Sequence, residues 1–417
     1  MAKTIIKDFE SGLKLIVAEM RGIFSASVGI MVRSGSRYEE ESNNGFSHFI
    51  EHLSFKGTQR RSALDISQEI DVTGGSINAF TSKDTTCYHT KTDSDSVEKC
   101  FDLLSDMFFD SKLAQDELDM ERKVILEEID SDEDTPEEVC QDLLSQALFG
   151  DDGLGKKVLG PKENVENATR KQLLQFKAKY YTPKNIVISV AGNVKTEEIV
   201  EYVQKYFEKR LKDIKCEENK AQPPSFKSDF LYKIKDTEQC HLAYAYPSFG
   251  INDPHFSPSV VASAILGDGM SSRLFQTIRE KHGLAYSVFS FISTYSDCGY
   301  FEAYVGTNPQ KVKSANKLLK EQLDLIKEKG VTQEEFERGR KQLSGALKLS
   351  QESTVAVMRN NGSSLLRAYK YVDIKKRLKE IENMRIDDVN SAIKKILSFS
   401  PACSYVGKQK GLDALTK

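Results

Sequence analysis

The sequence predicts an α+β protein made of two homologous domains, each a mainly antiparallel sheet packed with helices. Three observations carry this expectation. Strand and helix patterns alternate through the first half of the 417-residue chain. One helical segment of that half returns in the second at a fixed offset. A charged stretch ending in Pro-Pro, Leu211–Ser225, falls near the midpoint and reads as a linker.

Taken in order, Leu13–Val17 and Ala26–Val32 read as strands, Asn44–Phe55 as a helix and Ser76–Thr81 as a further strand. Asp95–Phe109 and Gln115–Ile129 carry helical periodicity. Lys184–Ala191 is an apolar run of strand length, closed by Gly192 and Asn193. Gln115–Ile129 (QDELDMERKVILEEI) aligns without gaps to Gln333–Leu347 (QEEFERGRKQLSGAL) at an offset of 218, with Leu118, Ile125 and Ile129 recurring as Phe336, Leu343 and Leu347. Thr92–Leu104 and Thr307–Leu319 resemble each other more weakly. The expected division is residues 1–210, a linker over 211–225, and residues 226–417.

Hydrophobic residues make up 39% and charged residues 29%, an ordinary globular balance. The net charge of -3 provides no pull toward nucleic acid or anionic membrane, and no apolar run is long enough to cross a bilayer. Seven scattered cysteines without a C-x-x-C pair suit a reducing compartment. The first residues show neither a basic segment followed by an apolar one nor an Arg-rich transit pattern, so a cytoplasmic protein is expected.

The chemistry concentrates in His48-Phe49-Ile50-Glu51-His52. On a helix, Phe46, Phe49, Ile50 and Leu53 share one side, and His48, Glu51 and His52 share the other. Imidazoles four residues apart project together, spaced to hold one metal ion, and the carboxylate between them can reach a metal-bound water. Such a site needs a third protein ligand and an open position. The Gln115–Ile129 helix offers Glu121 and Glu128, seven apart on a face that also carries Val124 and Ile125. At the aligned positions the second copy has Gly339 and Ala346, and its apolar segment Pro258–Gly267 lacks histidines and acids. The first copy is therefore expected to hold a metal and the second is not.

With these residues goes a resemblance. HFIEH (His48–His52), GGSINAFTSKDTTCY (Gly74–Tyr88), ERKVILEEI (Glu121–Ile129), YYTPKNIVISVAGNV (Tyr180–Val194) and SSRLFQTIREKHGLAYSV (Ser271–Val288) resemble, in the same order, segments of the pitrilysin/insulinase family of zinc peptidases, specifically its short two-domain branch. The resemblance implies one Zn2+ per chain held by His48, His52 and Glu128, with Glu127 as the alternative third ligand. It implies Glu51 as general base and Glu121 as the group orienting a ligand imidazole. It implies that Asn78, Ala79, Phe80 and Thr81 lie on an open edge strand that pairs with a peptide substrate. Arg279 would hold a substrate carbonyl, and Tyr286 would donate to the oxyanion. It further implies an endopeptidase of unfolded peptides or presequence-like segments, working in an enclosed chamber of four homologous domains. For a chain with two of them, a homodimer is the simplest assembly. The alternative within the family is a non-catalytic core subunit.

Overall fold

The computed structural model describes residues 3–151 and 153–416. The chain forms two compact units, the first comprising Met1–Ile129, Lys157–Gln222 and Lys348–Asp373, the second Asp130–Lys156, Pro223–Leu347 and Ile374–Lys417. Each contains one sheet with helices, so the fold is α+β.

In the first unit the strands are β1 (Lys3–Asp8), β2 (Lys14–Glu19), β3 (Ser25–Val32), β4 (Ser76–Thr81), β5 (Thr86–Asp93) and β6 (Ile186–Gly192), in the spatial order β1-β2-β6-β3-β5-β4. Only β2 and β6 pair in parallel. Side chains alternate across a strand, so one sequence can serve two cores. Leu15, Val17, Val28, Ile30, Ile188 and Val190 pack with the helices Phe46–Leu53 and Val97–Asp110, whereas Ile16, Ala18, Met31, Val187 and Ala191 face a second cluster. Burial on both faces is why Ile186–Ala191 reads as an apolar run broken only by Ser189.

That second cluster is closed by a helix from far along the chain, Thr354–Ala368, through Val357, Met358, Leu365 and Leu366. The approach is close. A Cβ at Gly29 would run into Met358 Sδ, and one at Gly362 would lie 2.6 Å from Met31 Sδ. Ser189 Oγ donates to the Met358 carbonyl at 2.7 Å, and the Ser27 and Thr354 hydroxyls meet at 2.9 Å.

The second unit repeats this plan. Its strands are β7 (Phe230–Ile234), β8 (Cys240–Ser248), β9 (Ala285–Thr294), β10 (Gly299–Thr307) and β11 (Ala402–Gly407), ordered β7-β11-β8-β10-β9 with only β7 and β11 parallel. Set beside β2-β6-β3-β5-β4, order and sense agree strand by strand, with β1 the extra member of the first sheet. One face packs against helices that include Phe256–Gly267 and Val312–Lys329. The other is covered by Pro136–Phe149, a helix from the first half of the chain, through Val139, Leu144, Ala147 and Leu148. Here Cys140 Sγ meets Ser404 Oγ at 3.1 Å, and Gln141 Nε2 donates to Glu302 Oε1 at 2.6 Å. The two halves thus exchange equivalent helices, a feature absent from the linear division expected at residues 210 and 226. Residues 214–229 form an irregular stretch, of which Asn219 is tied to the first unit by its hydrogen bonds to Asn185 Oδ1 and the Arg33 carbonyl at 2.7 and 2.9 Å.

Among the described residues none of the seven cysteines is joined in a disulfide. Among the described residues no helix is long and apolar enough to cross a membrane.

Candidate metal centre

The helix Phe46–Leu53 is fixed at its start by a buried acid. Glu39 accepts hydrogen bonds from the backbone N–H groups of Gly45 and Ser47, both at 2.8 Å, and from Asn44 Nδ2 at 2.9 Å. These N–H groups lack partners within the helix, so the carboxylate caps it. Burial raises the Glu39 pKa, against the pull of those hydrogen bonds. Phe46, Phe49, Ile50 and Leu53 point into the core, and the opposite side presents His48, Glu51 and His52.

The second contribution comes from the helix Gln115–Asp134, anchored by buried Leu118, Ile125 and Ile129. Glu128 Oε2 lies 3.7 Å from His48 Nε2 and 3.5 Å from His52 Nε2. The three potential ligand atoms all fall within 4.8 Å of one another, and they are the one such group of three among the described residues. Tetrahedral coordination with bonds of about 2.0–2.1 Å separates ligand atoms by roughly 3.3 Å, close to the 3.5 and 3.7 Å between Glu128 and the two imidazoles. Two imidazoles with one carboxylate are also a donor set that catalytic zinc uses. Glu127 is exposed and is not part of the group.

Glu121 is the buried acid of this helix. It accepts from His52 Nδ1 at 3.1 Å and from Lys56 Nζ at 2.6 Å. An ionised carboxylate only accepts, so the His52 proton sits on Nδ1 and its Nε2 lone pair is left facing Glu128. Burial lowers the His52 pKa, but the neighbouring carboxylates of Glu128 and Glu121 favour the charged ring, and the net shift is upward. Glu128 moves down, chiefly through its contact with His52. His48 is pushed down to about 4 by burial and then by the neighbouring His52, and its buried Nδ1 has no hydrogen-bond partner among the described residues. Glu121 is buried beside the apolar stripe Leu118, Ile125 and Ile129, as its place on that face implies, whereas for Glu128 and Val124 that expectation needs correction. Val124 is 49% exposed and the Glu128 side chain 45%, and Glu128 turns to the histidines instead of the core.

Glu51 sits beside the histidines, and its Oε2 accepts from Thr81 Oγ1 at 2.5 Å. Burial raises its pKa, partly countered by that hydrogen bond. Thr81 ends β4, which pairs with β5 on one side and is the edge of its sheet. Asn78, Ala79, Phe80 and Thr81 therefore line an edge strand that leads to Glu51.

In the second unit the equivalent helix pair is closed. A Cβ at Gly339 would lie 2.9 Å from Ile265 Cγ1 and 3.2 Å from Val261 Cγ1, leaving no space for an acid. This unit carries Arg279 and Tyr286. Arg279 Nη1 donates to the Tyr286 carbonyl at 2.9 Å, and its guanidinium lies 4.8 Å from the ring centroids of both Phe275 and Tyr286. The Tyr286 side is open, with the residue 74% exposed.

Sequence reasoning passed over Glu39, Lys56 and the pairing of Thr81 with Glu51. Lys56 follows His52 at the same four-residue interval that separates the histidines. For Glu39 there was no periodic signal, because it lies before the helix.

Residues 16–162 match the model of the insulinase family (peptidase family M16), and residues 167–343 match that of the peptidase M16 inactive domain. The uncharacterized zinc protease YmxG of Bacillus subtilis is 35% identical over 95% of this chain and 96% of its own length. The chain belongs to the M16 family. A second relative, the uncharacterized zinc protease SCO5738 of Streptomyces coelicolor, is 37% identical over 97% of this chain and 89% of its own length. The fold is shared with a protease from Helicobacter pylori (TM-score 0.90, 22% identity, 97% of this chain and 100% of that one). It is shared as well with a chain of complex III2 from Candida albicans (TM-score 0.86, 18% identity, 99% and 97%).

Proposed function

We propose that this protein is a zinc-dependent endopeptidase that hydrolyses unfolded peptides or presequence-like segments. The supporting observation is the convergence of His48, His52 and Glu128 beside Glu51. Zinc, when bound, supplies Lewis acidity and lowers the pKa of water toward about 7. Glu51, held by Thr81 and made more basic by burial, takes the proton of the attacking water and returns it to the leaving amine. β4 takes the peptide as an added strand, so its backbone is aligned with little demand on sequence. Arg279 holds a substrate carbonyl and Tyr286 donates to the developing oxyanion. Two copies of the chain enclose a chamber that admits extended peptides and excludes folded proteins. The complete donor set weighs against a non-catalytic core subunit, the alternative within the family.

Glu51→Gln is expected to keep one zinc per chain and to lose a hundredfold or more in turnover of a fluorogenic peptide. His52→Ala is expected to lose metal and activity together. The purified protein should migrate with about twice the 46.9 kDa of one chain. Normal cleavage by Glu51→Gln, or tight zinc retained by His52→Ala, overturns the assignment.

A further inference from the structure

The face of β4 turned away from Glu51 carries an arrangement that the hydrolytic chemistry leaves unused. Arg359, on the Thr354–Ala368 helix, donates from Nη2 to His89 Nε2 at 2.6 Å, and its guanidinium carbon lies 4.9 Å from the Phe80 ring centroid. His89 is opposite Asn78 in the β4–β5 ladder. Successive side chains alternate across a strand, so Asn78 and Phe80 share one face of β4 while Ala79 and Thr81 share the other. Phe80 thus brings a cation to the edge strand one residue from the contact between Thr81 and Glu51.

This cation is held but not neutralised. Arg359 is exposed, and among the described residues it pairs with no carboxylate. Its partner is a neutral ring. A guanidinium always donates, so His89 Nε2 must accept and carries no proton. Burial, followed by the nearby Arg359 charge, pushes His89 down to about 4, which keeps it an acceptor throughout the neutral range. The aromatic face of Phe80 and the imidazole nitrogen fix the plane of the guanidinium while leaving most of its five N–H donors unused. A planar fork oriented in this way matches a carboxylate better than a mobile lysine does.

We propose that Arg359, positioned by His89 and Phe80, is a carboxylate-selecting subsite beside the substrate strand. It favours peptides with an acidic side chain within about two residues of the scissile bond, on the face of the added strand that it shares with Phe80 and Asn78. The inference rests on the peptidase reading for its context, because a peptide on β4 is what brings the acid to Arg359. Of the two substrate classes proposed it fits unfolded peptides, since presequence-like segments are poor in acids.

The test measures binding before cleavage. Fluorescein-labelled decapeptides that differ only by Glu or Gln at one scanned position are titrated into the zinc-loaded protein by anisotropy, in a Glu51→Gln background that leaves bound peptide intact. A matched pair with a free or amidated C-terminus separates a side-chain carboxylate from a terminal one. Binding is expected to favour Glu over Gln about tenfold at one or two positions at low salt, and to do so less at high salt. Arg359→Gln should bring the ratio to about one, and Arg359→Lys should retain part of it. If Arg359→Gln does not fold, the lysine variant and the salt dependence of the unsubstituted chain carry the test. Discrimination confined to the terminal pair and lost in Arg359→Gln supports the same carboxylate seat with the other source. Equal binding of Glu and Gln peptides throughout, or a ratio that survives Arg359→Gln, overturns the proposal. Charge-selective binding without any cleavage by the unsubstituted protein leaves this subsite standing and removes the peptidase reading alone.

Discussion

At the residue scale, each imidazole and carboxylate of the site is distinguished by what holds its other atoms. His52 is oriented by Glu121, itself pinned by Lys56, whereas the second nitrogen of His48 has no partner among the described residues. Outer hydrogen bonds of this kind raise ligand basicity, and their loss weakens metal binding by about 10- to 100-fold. Glu121→Gln should therefore raise the zinc dissociation constant by that factor while the fold stays intact, as read by competition with a chelator and by thermal unfolding of the zinc-free protein. Unchanged zinc affinity would show that the contact between Glu121 and His52 is only structural. The motif His48-x-x-Glu51-His52 was legible because its five residues are local and one helical turn fixes their directions. Glu121 and Glu128 were legible as a pair for the same reason, with the repeat as a control. The subsite around Arg359 was not, since its guanidinium and the His89 ring come together from positions 270 residues apart.

At the element scale, helix starts explain much of what positions these side chains. The helix Gln333–Ser350 begins with Thr332 and Glu335 in reciprocal hydrogen bonds, Thr332 N–H to Glu335 Oε2 at 2.8 Å and Glu335 N–H to Thr332 Oγ1 at 3.2 Å. The same Glu335 carboxylate takes two hydrogen bonds from Arg273, at 2.7 and 2.6 Å. Burial raises its pKa, but the Arg273 and Thr332 hydrogen bonds prevail and bring it down to about 2. A carboxyl depressed in the folded state contributes stability that is fully present above its unfolded value of 4.5 and is lost as pH falls through about 2. Glu335→Gln should thus lower stability by about 1–3 kcal/mol at pH 7, with the difference shrinking below about pH 4 and vanishing only below about pH 2. Thermal unfolding of both proteins across that range checks it, and a constant difference at all pH values would contradict it. Four of the six described strands of the first half and the helices Phe46–Leu53, Val97–Asp110 and Gln115–Asp134 were legible from periodicity, whereas Lys3–Asp8, Thr86–Asp93 and helices such as Ala63–Val72 and Arg170–Tyr180 were not read. The caps were less legible, because Glu39 and Arg273 act across loops and obey no fixed spacing.

At the scale of the whole molecule, the recurrence of Gln115–Ile129 as Gln333–Leu347 was enough to indicate two copies of one domain, and the matching strand orders of the two sheets agree with it. The exchange of Thr354–Ala368 for Pro136–Phe149 was not legible. Amphipathic stripes report that a helix face is buried, but not which sheet buries it. A fragment of residues 1–210 keeps the metal ligands yet leaves Ile16, Met31, Val187 and Ala191 without Met358, Leu365 and Leu366. It is expected to bind a hydrophobic dye and aggregate, and co-expression with residues 211–417 should restore a soluble complex. A well-folded, monomeric 1–210 fragment would mean that the exchanged helix contributes little.

The exchanged helix also sets an order of events during synthesis. The metal ligands leave the ribosome early, all before residue 130, but the sheet beneath them stays bare on one face until the segment ending at Ala368 has been made. At translation speeds of about 5–20 residues per second, that interval lasts roughly 10–50 seconds. The nascent first unit must wait through it half-covered, so a factor that shields exposed β-surface, or a pause in elongation, has its strongest effect on yield within this window.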